Sequence, residues 1–209
     1  ELLPKAWHVW LLSIQAVSSG IIALLLIFCP MEEAYRDIFE GAMVCLICPT
    51  ATAAAVITGK LGGSASTLTT YTLLSNVLAA IAVPLVFPLV EPHADITFVV
   101  AFLKILSKVF PLLLAPFFIA LLFRYYIPSV HRLLSKYNGV AFYLWAVALT
   151  IVTGQTVRSL VTAAADVSIE IMIALAGLAT CCLQFYFGKR IGSAYHERIS
   201  AGQALGQKN

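Results

Sequence analysis

Residues 48–61 read Cys-Pro-Thr-Ala-Thr-Ala-Ala-Ala-Val-Ile-Thr-Gly-Lys-Leu, and they decide how the rest of the chain is interpreted. The stretch lies in an apolar segment about as long as a bilayer is thick. Pro49 removes a backbone donor and clashes with the carbonyl four residues earlier, so an unbroken helix is not expected. Non-helical backbone at mid-membrane survives only where protein buries it or where it lines a cavity. A helix broken in this way is typical of a transporter binding site.

The composition indicates an integral membrane protein. Of the 209 residues, 61% are hydrophobic and 11% are charged, whereas soluble domains carry about 25% charged residues. The mean hydropathy is +0.94. The basic residues form no stripe with interleaved aromatic residues, so a nucleic-acid partner is not expected. The lipid bilayer is the expected surrounding.

Apolar segments of about 20 residues, the length that a membrane-spanning helix requires, recur along the chain. The sequence therefore predicts an all-α fold, a polytopic transmembrane helical bundle in a single domain. The predicted spans are residues 7–29, 38–58, 64–90, 98–126, 139–160 and 167–187, and residues 195–209 are predicted to form the first half of a second broken helix.

The charges of the predicted connections indicate the orientation. Most basic residues lie in connections on the Lys5 side, whereas the opposite connections hold only Arg36 and Arg158. The positive-inside rule therefore places the Lys5 side in the cytoplasm, and we expect a bacterial inner (plasma) membrane protein. The basic residues on the cytoplasmic side are Lys5, Lys60, Arg124, Arg132, Lys136, Lys189, Arg190 and Arg198.

Hydroxylated side chains follow the proline and recur on the next span. A polar cavity between the two spans is one interpretation, with Pro49 at its wall. Two others stay open: an ordinary proline kink whose free carbonyls are satisfied by neighbouring hydroxyls, and simple close packing of small residues between helices. The polar residues concerned are Thr50, Thr52, Thr58, Thr69, Thr72 and Asn76.

Two further polar residues lie in apolar surroundings. Gln15, in the first span, is more readily explained as an interhelical hydrogen bond than as a ligand. Lys208 is expected near mid-membrane, where an ammonium group is costly and marks a candidate functional site.

The sequence offers no catalytic machinery. Its membrane-embedded part contains no Ser-His-Asp, Cys-His or paired-carboxylate arrangement, so an enzyme is not expected. Cys45 and Cys48 form a C-x-x-C pair, but no second pair of metal ligands accompanies them. We therefore predict no cofactor beyond a coupling ion.

At residues 48–58 the sequence resembles the bile acid:sodium symporter family, in which a Cys-Pro-Gly-Gly-Thr-Ala-Ser-Asn-Val type motif lies at the break of a crossing helix. The resemblance extends over essentially the whole chain. It implies ten helices in two inverted five-helix repeats, with two broken helices crossing at the site. On that map the chain is a divergent bacterial-type member and a fragment covering helices three to nine. Panel helices are then expected at 98–126 and 139–160, and core helices at the other spans.

The resemblance also implies sodium ligands, and several of them differ here. The ligand types persist at Gln15 and Thr72, which are the residual sodium ligands it implies. The Ser-Asn pair of the family is replaced by Ala54 and Ala55, and one helix-five hydroxyl by Leu68. Alanine and leucine cannot ligate sodium through their side chains.

The second crossing helix also lacks sodium ligands that the family resemblance implies. Its key carboxylate is missing, unless Gln203 substitutes after a one-residue slip, and a family glutamine has become Lys208. We hypothesise that Lys208 occupies the space of a sodium ion as a tethered cation. Because burial favours a neutral amine, a proton cycle is chemically accessible, and both Na+ and H+ stay candidates for the coupling ion.

We therefore predict a secondary active transporter that moves a small organic anion by alternating access. Half-helix N-termini near Ala51 and beyond Gly206 are expected to present positive dipole ends to the anion. The alternative is a non-transporting membrane sensor or scaffold that retains the transporter fold. The predicted binding residues are Gln15, Pro49, Thr50, Thr52, Thr58, Thr69, Thr72, Asn76, Gln203, Lys208 and Asn209.

Overall fold

The computed structural model describes residues 3–92, 95–137, 139–162 and 167–208, and its regular secondary structure is α-helical, as predicted. By length and composition, five of the described helices can span a membrane: α1, α4, α5, α7 and α8. The helices are α1 (Ala6–Phe28), α2 (Glu33–Ile47), α3 (Ala54–Lys60), α4 (Ala65–Val90), α5 (Phe98–Tyr126), α6 (Pro128–Lys136), α7 (Val140–Thr162), α8 (Val167–Ala194) and α9 (Arg198–Gly206).

The predicted break at Pro49 is present and separates α2 from α3. Cys48 has an extended backbone with ψ 144°, as expected for a residue that precedes proline. The helix before the break begins at Glu33 rather than at the predicted residue 38, because an acidic residue stabilises the first turn of a helix. A second helix, α9, also stops short and leaves Gln207 with non-helical dihedrals.

The core of the bundle joins the first part of the chain to its last part. It is made by α1, α3, α4 and α9, and small residues in α3 and α9 let these helices approach closely. Its buried members are Trp7, Leu11, Ala54, Leu68, Tyr71, Ala201, Ala204 and Leu205.

A close-packed hairpin of α8 and α9 positions the second break. A Cβ added to Gly188 would lie 2.5 Å from the carbonyl oxygen of Ala201, and one added to Gly192 would lie 2.6 Å from that of Glu197. Both glycines lie within α8, which continues to Ala194, beyond the span predicted for residues 167–187. Because glycine has no side chain, the backbone of α9 and of the turn before it can approach α8 closely at these two positions, as small residues allow between membrane helices.

Helices α5 and α7 are much more exposed than the core helices. Leu114 is the one buried residue of α5 within the described part of the chain. The α5 helix packs against α4. The start of α7 meets the end of α3, where the Lys60 ammonium lies 3.7 Å from the centre of the Phe142 ring. Both helices therefore present most of their apolar surface outwards, as lipid-facing helices do.

One end of the bundle is tied by Arg36. Its guanidinium donates to the carbonyl oxygens of Leu26, at 3.3 Å, and of Val90. These carbonyls belong to the last turns of α1 and α4, which lack donors within their own helices. Arg36 also lies 3.1 Å from Glu91. A single side chain on α2 thus joins two other helices at this end.

The opposite end is tied by Lys5 and Glu197. The Lys5 ammonium lies 2.6 Å from the Glu197 carboxylate, and Ser200 donates to the other carboxylate oxygen at 2.7 Å. Burial disfavours the charge on Glu197, but the hydrogen bonds from Lys5 and Ser200 outweigh it and hold the pKa of this carboxyl below its usual range. The amide of Ser64 donates in turn to Ser200.

Candidate functional site

The two helix breaks meet in the middle of the bundle. Thr50 and Lys208 form an isolated antiparallel bridge. The amide of Ala51 donates to the carbonyl oxygen of Gln207 at 2.9 Å. Each break therefore satisfies backbone groups that the other leaves without a helical partner, which is the condition for non-helical backbone at membrane depth.

The side chain of Thr50 strengthens this crossing. Its hydroxyl donates to the carbonyl oxygen of Ala204 at 2.6 Å, and its backbone amide donates to the Ser75 hydroxyl at 3.2 Å. Thr50 is fully buried. The hydroxyl therefore links the first break to α9, and the amide links it to α4.

The carbonyl that Pro49 deprives of a donor has a substitute partner. A residue with an N–H at position 49 would bond the carbonyl of Cys45, four residues earlier. In its place, the side-chain amide of Gln184 on α8 donates to Cys45 at 3.3 Å. The break is thus stabilised by a helix from the other end of the chain.

Gln15, on α1, has the same role at the last two carbonyls before Pro49. Its amide nitrogen lies 3.1 Å from the carbonyl oxygen of Ile47 and 3.2 Å from that of Cys48. Its amide oxygen accepts from the hydroxyls of Ser75 at 3.1 Å and Tyr71 at 3.5 Å. Gln15 is 2% exposed, so its hydrogen bonds are made within the protein.

A cavity of about 430 Å³ lies beside the crossing, and we call it the front cavity. Four of the predicted site residues line it together. Thr72 has a buried hydroxyl without a hydrogen-bond partner in the described structure, and Asn76 donates to the carbonyl of Leu113 at 3.5 Å. The lining residues are Thr52, Ala55, Thr69, Thr72, Leu73, Asn76, Leu112, Leu113, Pro116 and Phe117.

A second cavity, of about 380 Å³, shares no lining residue with the first, and we call it the rear cavity. Lys208 lines it. The Lys208 amine and the amide oxygens of Gln184 and Gln207 are buried and have no hydrogen-bond partner in the described structure. The lining residues are Val44, Cys45, Cys48, Gly177, Cys181, Gln184, Phe185, Gly206, Gln207 and Lys208.

The predicted binding residues are therefore divided rather than gathered in one site. Thr52, Thr69, Thr72 and Asn76 line the front cavity, and Lys208 lines the rear one. Three of the others line neither: Gln15 and Thr50 bond the breaks, and Pro49 makes one of them. Thr58, with its buried hydroxyl unpartnered in the described structure, and Gln203 on α9 also line neither cavity. Asn209 lies outside the described residues.

The sequence model of the sodium bile acid symporter family matches residues 15–163, more than half of the chain. The chain belongs to the sodium bile acid symporter family. Members of this family are membrane transporters of the symporter type rather than enzymes. The match contains the first break and the whole front cavity. None of the curated proteins compared with the sequence matches it.

Three positions at which the family resemblance implies sodium ligands carry side chains without oxygen. Ala54 and Leu68 are fully buried in the apolar core. Ala55 lines the front cavity with a methyl group, beside Thr72. Of these four positions, Thr72 is the one that carries a side-chain oxygen.

Three residues that form hydrogen bonds at the breaks were not among the binding residues predicted from the sequence. Ser75 and Tyr71 bond Gln15, and Gln184 bonds Cys45. The signal for Gln184 was a lone amide in an apolar span, the same signal that singled out Gln15. For Ser75 and Tyr71 the signal was the hydroxyl-rich stretch of α4, where they lie on a different face of the helix from Thr69, Thr72 and Asn76.

Proposed function

We propose that this member of the family is a secondary active transporter that moves a small organic anion by alternating access. The observation that supports it is the front cavity, which lies beside the paired breaks and is large enough for a small ligand. Its walls come from α3 and α4 on one side and from α5 on the other. Motion of one helix group against the other would open such a cavity to each side of the membrane in turn.

The lining of the front cavity supports an anion with an apolar body. Threonine hydroxyls and the Asn76 amide are hydrogen-bond donors for a carboxylate or a similar group. No acidic residue is among the residues that line the cavity. Leucine, proline and phenylalanine side chains of α5 form the opposite wall, where they contact the rest of the substrate.

Uptake into proteoliposomes tests this function. A panel of small carboxylates of increasing apolar size is offered to the full-length protein, and saturable uptake of at least one is expected. Thr72→Val is expected to reduce its kcat/KM by about tenfold, because a hydrogen bond to a charged group contributes about 1.5–3 kcal/mol. Thr150→Val is the control, since that hydroxyl is exposed and bonds its own helix.

Two outcomes would contradict the transporter proposal. Uptake that Thr72→Val and Thr150→Val leave equally unchanged would remove the front cavity as the substrate site. A folded protein that shows no saturable uptake of any anion in the panel would favour a sensor or scaffold that retains the fold.

We further propose that Lys208 replaces a sodium ion as a tethered cation, so that coupling does not depend on sodium. Two observations support this: its amine is buried without a partner in the described structure, and Ala54, Ala55 and Leu68 supply no ligand. Thermal stability in sodium against potassium, at constant ionic strength, is the test. A ligand that binds only the folded state adds about 2.7 kcal/mol at a hundred times its dissociation constant.

The expected result is equal stability in the two salts for the wild type. Lys208→Gln is expected to introduce a sodium-specific rise, whereas the control Lys189→Gln is not. A sodium-specific rise in the wild type would overturn the tethered-cation proposal while leaving the transport proposal intact.

We also propose that the protein lies in a bacterial inner membrane with the Lys5 side in the cytoplasm, supported by the distribution of basic residues. A single cysteine at Ser135, in a background without the five native cysteines, is then labelled by an impermeant maleimide only after cells are opened. One at Thr97 is labelled from the periplasm of intact spheroplasts. The reverse pattern would invert the orientation.

A further inference from the structure

The short helix α6 follows a membrane-spanning helix without a linker. The chain leaves α5 at Tyr126, turns at Ile127 with φ −133° and ψ 68°, and starts α6 with Pro128. Among the described helices, α5 is the one that packs appreciably against α6. Because α5 is long and apolar enough to span the bilayer, α6 starts at a membrane surface.

The residues of α6 divide into two faces. Val130, Leu133 and Leu134, followed by Tyr137, have the i, i+3, i+4, i+7 spacing of one apolar stripe. The two leucines are 57% and 56% exposed, so the described protein leaves most of this stripe uncovered. The opposite face carries Arg132 and Lys136 one turn apart.

The charged residues that lie near α6 in the sequence are all basic. Arg124 ends α5, and Arg132 and Lys136 follow on α6, whereas the sequence contains no aspartate or glutamate between Asp95 and Asp166. Tyr125, Tyr126 and Tyr137 are highly exposed. Tyrosines at this level are typical of the boundary between headgroups and acyl chains.

We propose that α6 lies in the membrane surface and binds anionic lipid headgroups of the leaflet in which α5 ends. An amphipathic helix with leucines on one face and basic residues on the other has the composition of an interfacial helix. The leucine stripe enters the acyl boundary, and Arg132 and Lys136 face the lipid phosphates. The proposal commits to lipid rather than a protein partner, because α5 already places the helix at the bilayer. It does not depend on the transport function.

Hydrogen exchange of the full-length protein in nanodiscs tests this inference. The amides of residues 129–136 are compared in phosphatidylcholine alone and in a mixture with phosphatidylglycerol. Slower exchange in the anionic nanodiscs is expected, and added salt is expected to reduce the difference, since surface charges are screened. Each basic residue near an anionic surface contributes about fivefold in binding, so Arg132→Gln with Lys136→Gln is expected to remove most of the lipid dependence.

The matched control removes two basic residues elsewhere on the same side, by Arg190→Gln with Arg198→Gln, and is expected to leave α6 exchange unchanged. Equal α6 exchange of the wild type in both lipids would overturn the proposal. An equal loss in both double variants would also overturn it. Leu133→Ser with Leu134→Ser is expected to speed exchange in either lipid; unchanged protection would indicate that protein rather than lipid covers the helix.

Discussion

The side-chain amide of Gln184 lies 3.3 Å from the carbonyl oxygen of Cys45 and donates a hydrogen bond to it. This pair links α8 to the turn of α2 that the proline interrupts. A buried carbonyl left without a donor costs about 1–3 kcal/mol.

Replacement of this amide is therefore predicted to destabilise the protein. Gln184→Leu keeps the approximate volume and removes the donor, and a lower melting temperature in detergent is expected. Gln155→Leu, an exposed amide on α7, is the control and is expected to change stability by less than about 0.5 kcal/mol. Equal shifts in the two variants would show that the bond to Cys45 contributes nothing.

A second prediction concerns the hairpin of α8 and α9. In Gly188→Ala the new Cβ would lie 2.5 Å from the carbonyl oxygen of Ala201, so the helices must separate. Such overpacking costs about 1–3 kcal/mol, and a corresponding fall in thermal stability is expected. Gly154→Ala on α7, where no atom lies within 4 Å of the new Cβ, is expected to be neutral or slightly stabilising. A neutral Gly188→Ala would contradict the close contact.

A third prediction concerns pH. The pKa of Glu197 is lowered in the folded protein, so its interaction with Lys5 stabilises the fold fully above the ordinary glutamate pKa of about 4.3. That contribution is lost as pH falls through the lower pKa of the folded state. Glu197→Gln is expected to remove this part of the acid dependence of the melting temperature, whereas Glu32→Gln, at an exposed glutamate, is not. Parallel curves for wild type and Glu197→Gln would refute the prediction.

A fourth prediction concerns Arg36. Lysine at this position keeps the positive charge but lacks the planar guanidinium group that donates hydrogen bonds to two helix ends at once. Arg36→Lys is therefore expected to lower thermal stability, because the carbonyls of Leu26 and Val90 lose a shared donor. Arg198→Lys, at an exposed arginine on the other side, serves as the control. If the two substitutions have the same small effect, Arg36 acts through its charge alone.

The sequence was informative where the relevant chemistry is local. A proline in an apolar span predicts a break by itself, because the missing donor and the ring clash belong to that residue. The polar wall of the front cavity was predictable for a similar reason: Thr69, Thr72 and Asn76 are spaced to lie on one face of a helix.

The sequence was less informative where tertiary contacts decide. Glycines predict a helix end, but at Gly188 and Gly192 the close approach of α9 outweighs that tendency. Lys208 follows α9 on non-helical backbone, so no periodicity gives the direction of its side chain, and its place in a cavity separate from the threonines follows from packing. Which helix would supply a donor to Cys45 depends on the arrangement of helices distant in the chain.

The bond from the Ala51 amide to the Gln207 carbonyl uses main-chain atoms alone. Almost any pair of residues can form this bond, because it uses no side-chain atom. Proline at position 51 is the exception, since it has no amide hydrogen. The bond therefore does not depend on whether an alanine or a serine, or an amine or an amide, lies beside it. Under the tethered-cation proposal, the scaffold and the ion chemistry are separate: a change of coupling ion leaves this backbone bond in place.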